Sequence, residues 1–337
     1  MSDAKEQVTA FQKDYQRIEQ ELGKVIVGHH EVIRSVLTAF FAGGHVLLEG
    51  VPGLGKTLLV RTLGSILQLK FNRIQFTPDL MPADILGTNL VAQNAQGDRV
   101  FKFQAGPIFA QIVLADEINR ATPKTQSAML EAMQEHAVTV AGNRYVLEEP
   151  FLVLATQNPL EMEGTYPLPE AQLDRFLFKI KVSFSSLDDL RRILERTTDK
   201  QDIRTECVID GVRVRAHQAL VRDVVAAPHV KDYVSRLVWA THPESELAPE
   251  VVRKYVRYGS SPRGAQSLVL AAKVTALIEG RFNAGFQDVR MAAHPALRHR
   301  LILNFEGEAE GIKVENVIDE ILKTVTPDVK AEAPVGA

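Results

Sequence analysis

The amino-acid sequence predicts an α/β fold, a parallel sheet layered between helices, followed by a smaller all-α domain. Three features point to it. First, four short and nearly continuous apolar runs are separated by stretches of helical periodicity: His45-Val46-Leu47-Leu48-Glu49, Ile74-Gln75-Phe76, Gln111-Ile112-Val113-Leu114-Ala115 and Phe151-Leu152-Val153-Leu154-Ala155. Such runs are the pattern of parallel strands buried on both faces. Second, a glycine-rich segment joins the first run to a helical one. Third, beyond the alternating run Phe176 to Val182, three- and four-residue spacing dominates from Leu187 to about Leu322.

Ahead of the first strand, Phe11, Tyr15, Ile18 and Leu22 recur at helical spacing, so residues 1–24 form an amphipathic helix. A second helical pattern (Val32, Ile33, Val36, Leu37, Phe40) stops at Gly43-Gly44, a C-cap signal. Two segments break the strand and helix alternation and read as projecting hairpins. Leu86 to Val91 and Arg99 to Gln104 flank Asn94-Ala95-Gln96-Gly97, while Val138 to Val140 and Tyr145 to Leu147 flank Ala141-Gly142-Asn143. The expected organisation is an αβα core over 25–184, a helical domain over 185–325 and a disordered tail over 326–337, which carries two prolines and no apolar pattern.

Bulk properties narrow the class. The chain has 337 residues, 45% hydrophobic and 24% charged, which suits a soluble globular protein of two domains. It has no apolar stretch of membrane-spanning length, and its start lacks the apolar run of a secretory signal, so the expectation is a cytoplasmic protein without membrane insertion. Cys207 is the only cysteine, which excludes an intramolecular disulfide and leaves an inert thiol. Net charge is −3, giving no global attraction for nucleic acid. Residues 250–300 hold nine Lys or Arg against three Asp or Glu, read as solvated helix faces or a subunit contact.

The chemistry gathers at strand ends. Gly50-Val51-Pro52-Gly53-Leu54-Gly55-Lys56-Thr57 matches Gly, four residues, Gly-Lys-Ser/Thr, and it lies between an apolar strand and a helical run that opens at Leu58. Backbone N–H groups of such a loop curl around phosphates and the helix N-terminus adds partial positive charge. Lys56 would reach the β- and γ-phosphates of ATP and the Thr57 hydroxyl would ligate Mg²⁺. The third run delivers Asp116-Glu117 at the carboxyl edge of the sheet: Asp116 to hold the Mg²⁺ hydration shell, Glu117 to polarise the attacking water. The fourth ends in Thr156-Gln157-Asn158-Pro159, where Asn158 could sense the γ-phosphate. A guanidinium at Arg175 or at Arg263 could neutralise transition-state charge, and spacing alone does not choose between them.

In this order the motifs resemble those of the AAA+ ATPases. The phrase Ala115-Asp116-Glu117-Ile118-Asn119-Arg120-Ala121-Thr122-Pro123-Lys124-Thr125-Gln126-Ser127 resembles the MoxR family, as do Gly106-Pro107-Ile108-Phe109-Ala110 and the stretch Glu163 to Phe176. The helical half is matched mainly by Ser261-Pro262-Arg263-Gly264. The resemblance implies an AAA+ core with a helical lid, Arg175 as an arginine finger reaching a neighbour's ATP, and Arg263 as a second sensor. It places Val25 to Gly28, with Val27 and Gly28, in the adenine pocket, and turns both hairpins toward the axial channel of a ring. It further implies a homo-oligomer, a hexamer by expectation, that hydrolyses ATP with Mg²⁺ to remodel or mature a protein client, with metal cofactor insertion among the outcomes and a von Willebrand A-domain partner supplied in trans. Two alternatives remain at the level of sequence: a nucleic-acid motor, disfavoured because the hairpins offer mainly Arg99, Lys102 and Arg144, and a slow ATP-operated binding switch.

Overall fold

The computed structural model describes residues 2–93, 98–159, 164–198 and 203–327. The turn expected at 94–97, Glu163 and most of the expected tail (328–337) lie outside the described residues. The chain divides into two compact units, residues 13–219 and residues 1–12 with 220–337.

In the first unit, the helices α1 (Ser2–Val25, which begins in the other unit) and α2 (His30–Phe41) precede β1 (Val46–Glu49) and α3 (Lys56–Ile66). Then follow β2 (Phe71–Gln75), the single turn α4 (Pro82–Leu86) and the strands β3 (Gly87–Gln93), β4 (Arg99–Ala105) and β5 (Ile112–Asp116). After α5 (Pro123–Glu135) come β6 (Ala137–Val140), β7 (Asn143–Val146), β8 (Leu152–Gln157), α6 (Glu170–Leu173), β9 (Phe178–Lys181) and α7 (Leu187–Thr198).

Five strands form one parallel sheet in the order β2-β5-β8-β1-β9, with Leu47 opposite Ala155, Val113 opposite Val153 and Ile74 opposite Ala115. Side chains alternate across the sheet. Leu47, Val113, Ala115, Val153 and Ala155 join Met129, Leu130 and Met133 of α5 in one buried cluster. The intervening Val46, Leu48, Leu114 and Leu154 are equally buried, as are Val60, Leu63 and Ile66 of α3. Burial of both faces explains the unbroken apolar runs.

The second strand is longer than its apolar run. Pairing begins at Phe71 opposite Ile112, so the strand takes in Asn72 and Arg73 and ends at Gln75, before Phe76. β2 is an edge strand, and an edge lets polar side chains reach solvent from within the ladder. The hairpin β6–β7 also differs in detail: Val140 pairs with Asn143, so its turn is the two residues Ala141 and Gly142, with φ of 49° and 80°. Two positive φ values give the turn that matches strand twist. The hairpin β3–β4 is antiparallel throughout, from Gly87 opposite Ala105 to Gln93 opposite Arg99. The ring of Phe103 on this hairpin stacks on Tyr145 of β7, centroids 3.9 Å apart and planes 16° apart, with Phe109 edge-on to both.

The second unit is helical, led by Pro228–Trp239, Pro262–Ile278, Phe286–Leu297 and Val314–Thr324. Buried Tyr233, Leu268, Leu277, Val289, Ile318 and Ile321 form its interior. Two short strand pairs, Val225–Ala226 with Asn283–Ala284 and Val256–Tyr258 with Ile302–Leu303, tie its loops.

Candidate nucleotide site

The segment after β1 turns sharply because glycine supplies angles other residues resist. Gly53 and Gly55 have φ of 84° and 75°, and Gly55 is the N-cap of α3. A Cβ at either would meet nothing within 4 Å, so the requirement lies in the backbone angle and not in crowding. Gly50 is held by its N–H to the Gln157 carbonyl (3.3 Å) and accepts from Lys56 Nζ at 2.6 Å. Burial lowers the pKa of Lys56, opposed by the charges of Asp116 and Glu117.

This loop opens on a cavity of about 390 Å³. Pro52, Gly53, Gly55, Lys56, Thr57 and Leu58 form one wall, and Asp116, Glu117, Thr156 and Asn158 at the ends of β5 and β8 form the other. The sheet thus gathers residues more than a hundred positions apart in the chain at its carboxyl edge, the usual ligand position in such folds. Beside it, Ile26, Val32, Leu48, Leu54, Leu59 and Val182 line a small apolar pocket together with His29. Val27 and Gly28 do not line that pocket: Val27 is buried, and Gly28 (φ 69°) passes so close to Asp189 that a Cβ would lie 2.8 Å from its carboxyl. Val51 stands in the loop between Gly50 and Pro52 without lining either space.

Asp116 is engaged at both oxygens. Thr156 Oγ1 donates to Oδ1 (2.6 Å), and Arg73 donates to Oδ2 from Nε (3.0 Å) and Nη2 (2.7 Å). Glu117 is held in the left-handed region (φ 57°, ψ 48°), unusual for a residue with a Cβ and a form of strain typical of functional sites. Its N–H donates to Thr156 Oγ1 (2.8 Å), and its Oε2 accepts from Gln75 Nε2 (2.9 Å) and Arg120 Nη1 (3.0 Å). The Thr57 hydroxyl and the Asp116 carboxylate are hard oxygen donors on one cavity, a set that suits Mg²⁺.

Arg175 lies outside this cavity and its Nη1 donates to the Leu130 carbonyl at 2.8 Å. Arg263, in the second unit, occupies the first turn of Pro262–Ile278, where its N–H donates to the capping Ser261 Oγ at 3.1 Å. Arg73, Gln75 and Arg120 are site residues that sequence reasoning missed. A polar pair at i and i+2 flanking Ile74 was the available signal for the first two, hidden because Arg73 precedes the apolar run.

A parallel sheet in this order, with a glycine-rich loop facing two carboxylates and an asparagine, defines a P-loop protein of the AAA class. Residues 45–178 match the "ATPase family associated with various cellular activities (AAA)" and residues 249–321 the "AAA lid domain". The chain is 43% identical over 312 residues to Chaperone MoxR1 of Mycobacterium tuberculosis, covering 92% of this chain and 82% of that one. It is 31% identical to Protein MoxR of Methylorubrum extorquens over 303 residues, 85% of this chain and 87% of that one. The crystal structure of a candidate ATPase from Cytophaga hutchinsonii matches with a TM-score of 0.90 at 40% identity, covering 96% of this chain and 98% of that one. The chain belongs to the MoxR family of AAA+ ATPases. No helix among the described residues is long and apolar enough to cross a membrane.

Proposed function

We propose that this chain hydrolyses ATP with Mg²⁺ and couples the cycle to remodelling or maturation of a protein complex. The observation that carries the reading is the convergence of Lys56, Thr57, Asp116, Glu117 and Asn158 on one cavity. Loop N–H groups and the start of α3 bind the phosphates, and the adjoining apolar pocket receives the base. Lys56 leaves the Gly50 carbonyl to neutralise the terminal phosphates. Thr57 and Asp116 hold Mg²⁺, which supplies charge neutralisation at the phosphate oxygens when bound. Glu117, aimed by Gln75 and Arg120, orients the attacking water and takes its proton, while Asn158 reports the γ-phosphate.

The remaining roles rest on family membership. We assign Arg175 as the arginine finger acting in trans, Arg263 as the second sensor, and a hexameric ring as the assembly that a trans arginine requires. The working partner would be a von Willebrand A-domain protein and the substrate a protein client, with metal cofactor insertion one form of maturation. The name Chaperone MoxR1 of the relative supports a chaperone-like role. The core and lid would divide near residue 185.

The test is Mg²⁺-dependent ATP hydrolysis against protein concentration for wild type, Lys56→Ala and Arg175→Ala, with light scattering on the same samples. Activity that rises with assembly and disappears in both variants supports a ring with shared sites. Concentration-independent activity that survives loss of Arg175 overturns the ring reading and leaves the phosphate-loop site standing.

A further inference from the structure

The Asp116 carboxylate has roughly four acceptor positions, two on each oxygen. Arg73 supplies two N–H groups to Oδ2, at 3.0 and 2.7 Å, and Thr156 supplies one O–H to Oδ1 at 2.6 Å. One position on Oδ1 is left. The Asp116 side chain is 13% exposed, whereas that of Arg73 is 48% exposed and borders the same cavity. The carboxylate is therefore the fixed partner and the guanidinium the one with room to move. Arg73 Nη2 also donates to Gln75 Oε1, whose amide holds Glu117, so an alternative acceptor stands beside it.

We infer that Arg73 is a positioning residue that competes with the metal for Asp116 Oδ2 and thereby raises the magnesium concentration the site requires. The inference rests on the proposed assignment of Asp116 to the metal. Arg73 must release Oδ2 before that oxygen can serve a cation or its water shell, because a guanidinium and a metal at one oxygen repel each other. Thr156 makes no such demand, since its O–H adds no charge and leaves Oδ1 half open. The guanidinium therefore acts as an internal counter-ion to the carboxylate, and its departure couples metal entry to the Gln75 and Glu117 pair.

The probe is N-methylanthraniloyl-ATP anisotropy, titrated with MgCl₂ at fixed nucleotide on the full chain. Hydrolysis does not enter this readout. Arg73→Gln removes the charge and is expected to lower the Mg²⁺ concentration for half-maximal binding roughly fivefold, the scale of a partly exposed ion pair. Arg73→Lys keeps the charge without the fork and should fall between wild type and Arg73→Gln; it carries the test by itself if the glutamine variant does not fold. An unchanged or increased Mg²⁺ requirement in these variants overturns the inference. Asp116→Asn separates the two levels. If it raises the Mg²⁺ requirement while Arg73→Gln fails to lower it, only the competition is wrong; if Asp116→Asn changes nothing, the metal assignment beneath it is wrong.

Discussion

Thr156 Oγ1 donates to Asp116 Oδ1 at 2.6 Å while accepting the Glu117 N–H at 2.8 Å. One hydroxyl near the end of β8, on a residue 1% exposed, thus fixes Asp116 at the end of β5 and Glu117 just beyond it. Thr156→Val keeps the shape but leaves a largely buried N–H and a carboxylate oxygen without this partner, a cost of about 1–3 kcal/mol. The expected outcome is a kcat lowered about tenfold or more, with KM for ATP little changed, and recovery of most activity in Thr156→Ser. Full kcat in the valine variant would show that the hydroxyl does not position the carboxylates.

Binding and hydrolysis should separate at Glu117. Its Oε2 accepts from Gln75 and Arg120, and an amide oxygen can still accept from both. Glu117→Gln removes the proposed base and is expected to lower phosphate release by about two orders of magnitude or more. ATP affinity, followed by the same fluorescent nucleotide, should stay within a few-fold of wild type. A parallel loss of affinity would instead assign Glu117 to ground-state binding.

His45 makes stability depend on pH. The ring is buried between α5 and β8, with Nε2 on the Met133 carbonyl (3.0 Å) and Nδ1 accepting the Val153 N–H (3.0 Å). Burial pushes its pKa down to about 4, partly offset by the bond to Met133 and assisted by His136. Between that value and the unfolded value of about 6.5, the unfolded chain binds the extra proton. Stability contributed by neutral His45 is therefore present above about pH 6.5 and is lost as pH falls toward 4. Urea titrations at pH 7 and pH 5 should differ by about 2 kcal/mol from this group. His45→Gln, which cannot protonate, should remove that part of the difference while lowering stability at pH 7.

The two hairpins of the first unit are coupled by the Phe103 and Tyr145 rings, 3.9 Å apart. Phe103→Ala is expected to cost about 1–2 kcal/mol locally. Amide exchange should accelerate in Asn143–Val146 as well as in the β3–β4 pair, whereas Tyr145→Phe should leave both protected. Faster exchange confined to β3–β4 would show that the stack does not join the hairpins.

Much of this site was legible because its parts are local in the chain. The phosphate-loop pattern needs only eight consecutive residues, since positive φ at Gly53 and Gly55 and the helix start at Lys56 are local facts. The apolar runs announced a sheet covered on both faces, and Asp116-Glu117 and Asn158 could be located because they end such runs. The hairpins were recognisable from the paired runs that flank their turns, with the turn of β6–β7 shortened to Ala141 and Gly142, both at positive φ.

The sequence by itself determined the strand and helix order, the phosphate loop and the acidic pair, because backbone propensity and burial act over a few residues. Tertiary structure alone decided that Arg73 and Gln75 meet Asp116 and Glu117, forty-odd residues downstream, since that depends on which strand becomes β5's neighbour and in what register. It likewise decided that Asp14 of α1 pairs with Arg213 and with His217, the latter at 2.8 Å and 203 residues away. Long-range partners follow from packing a whole sheet and its helices together, and no local pattern of side chains specifies them.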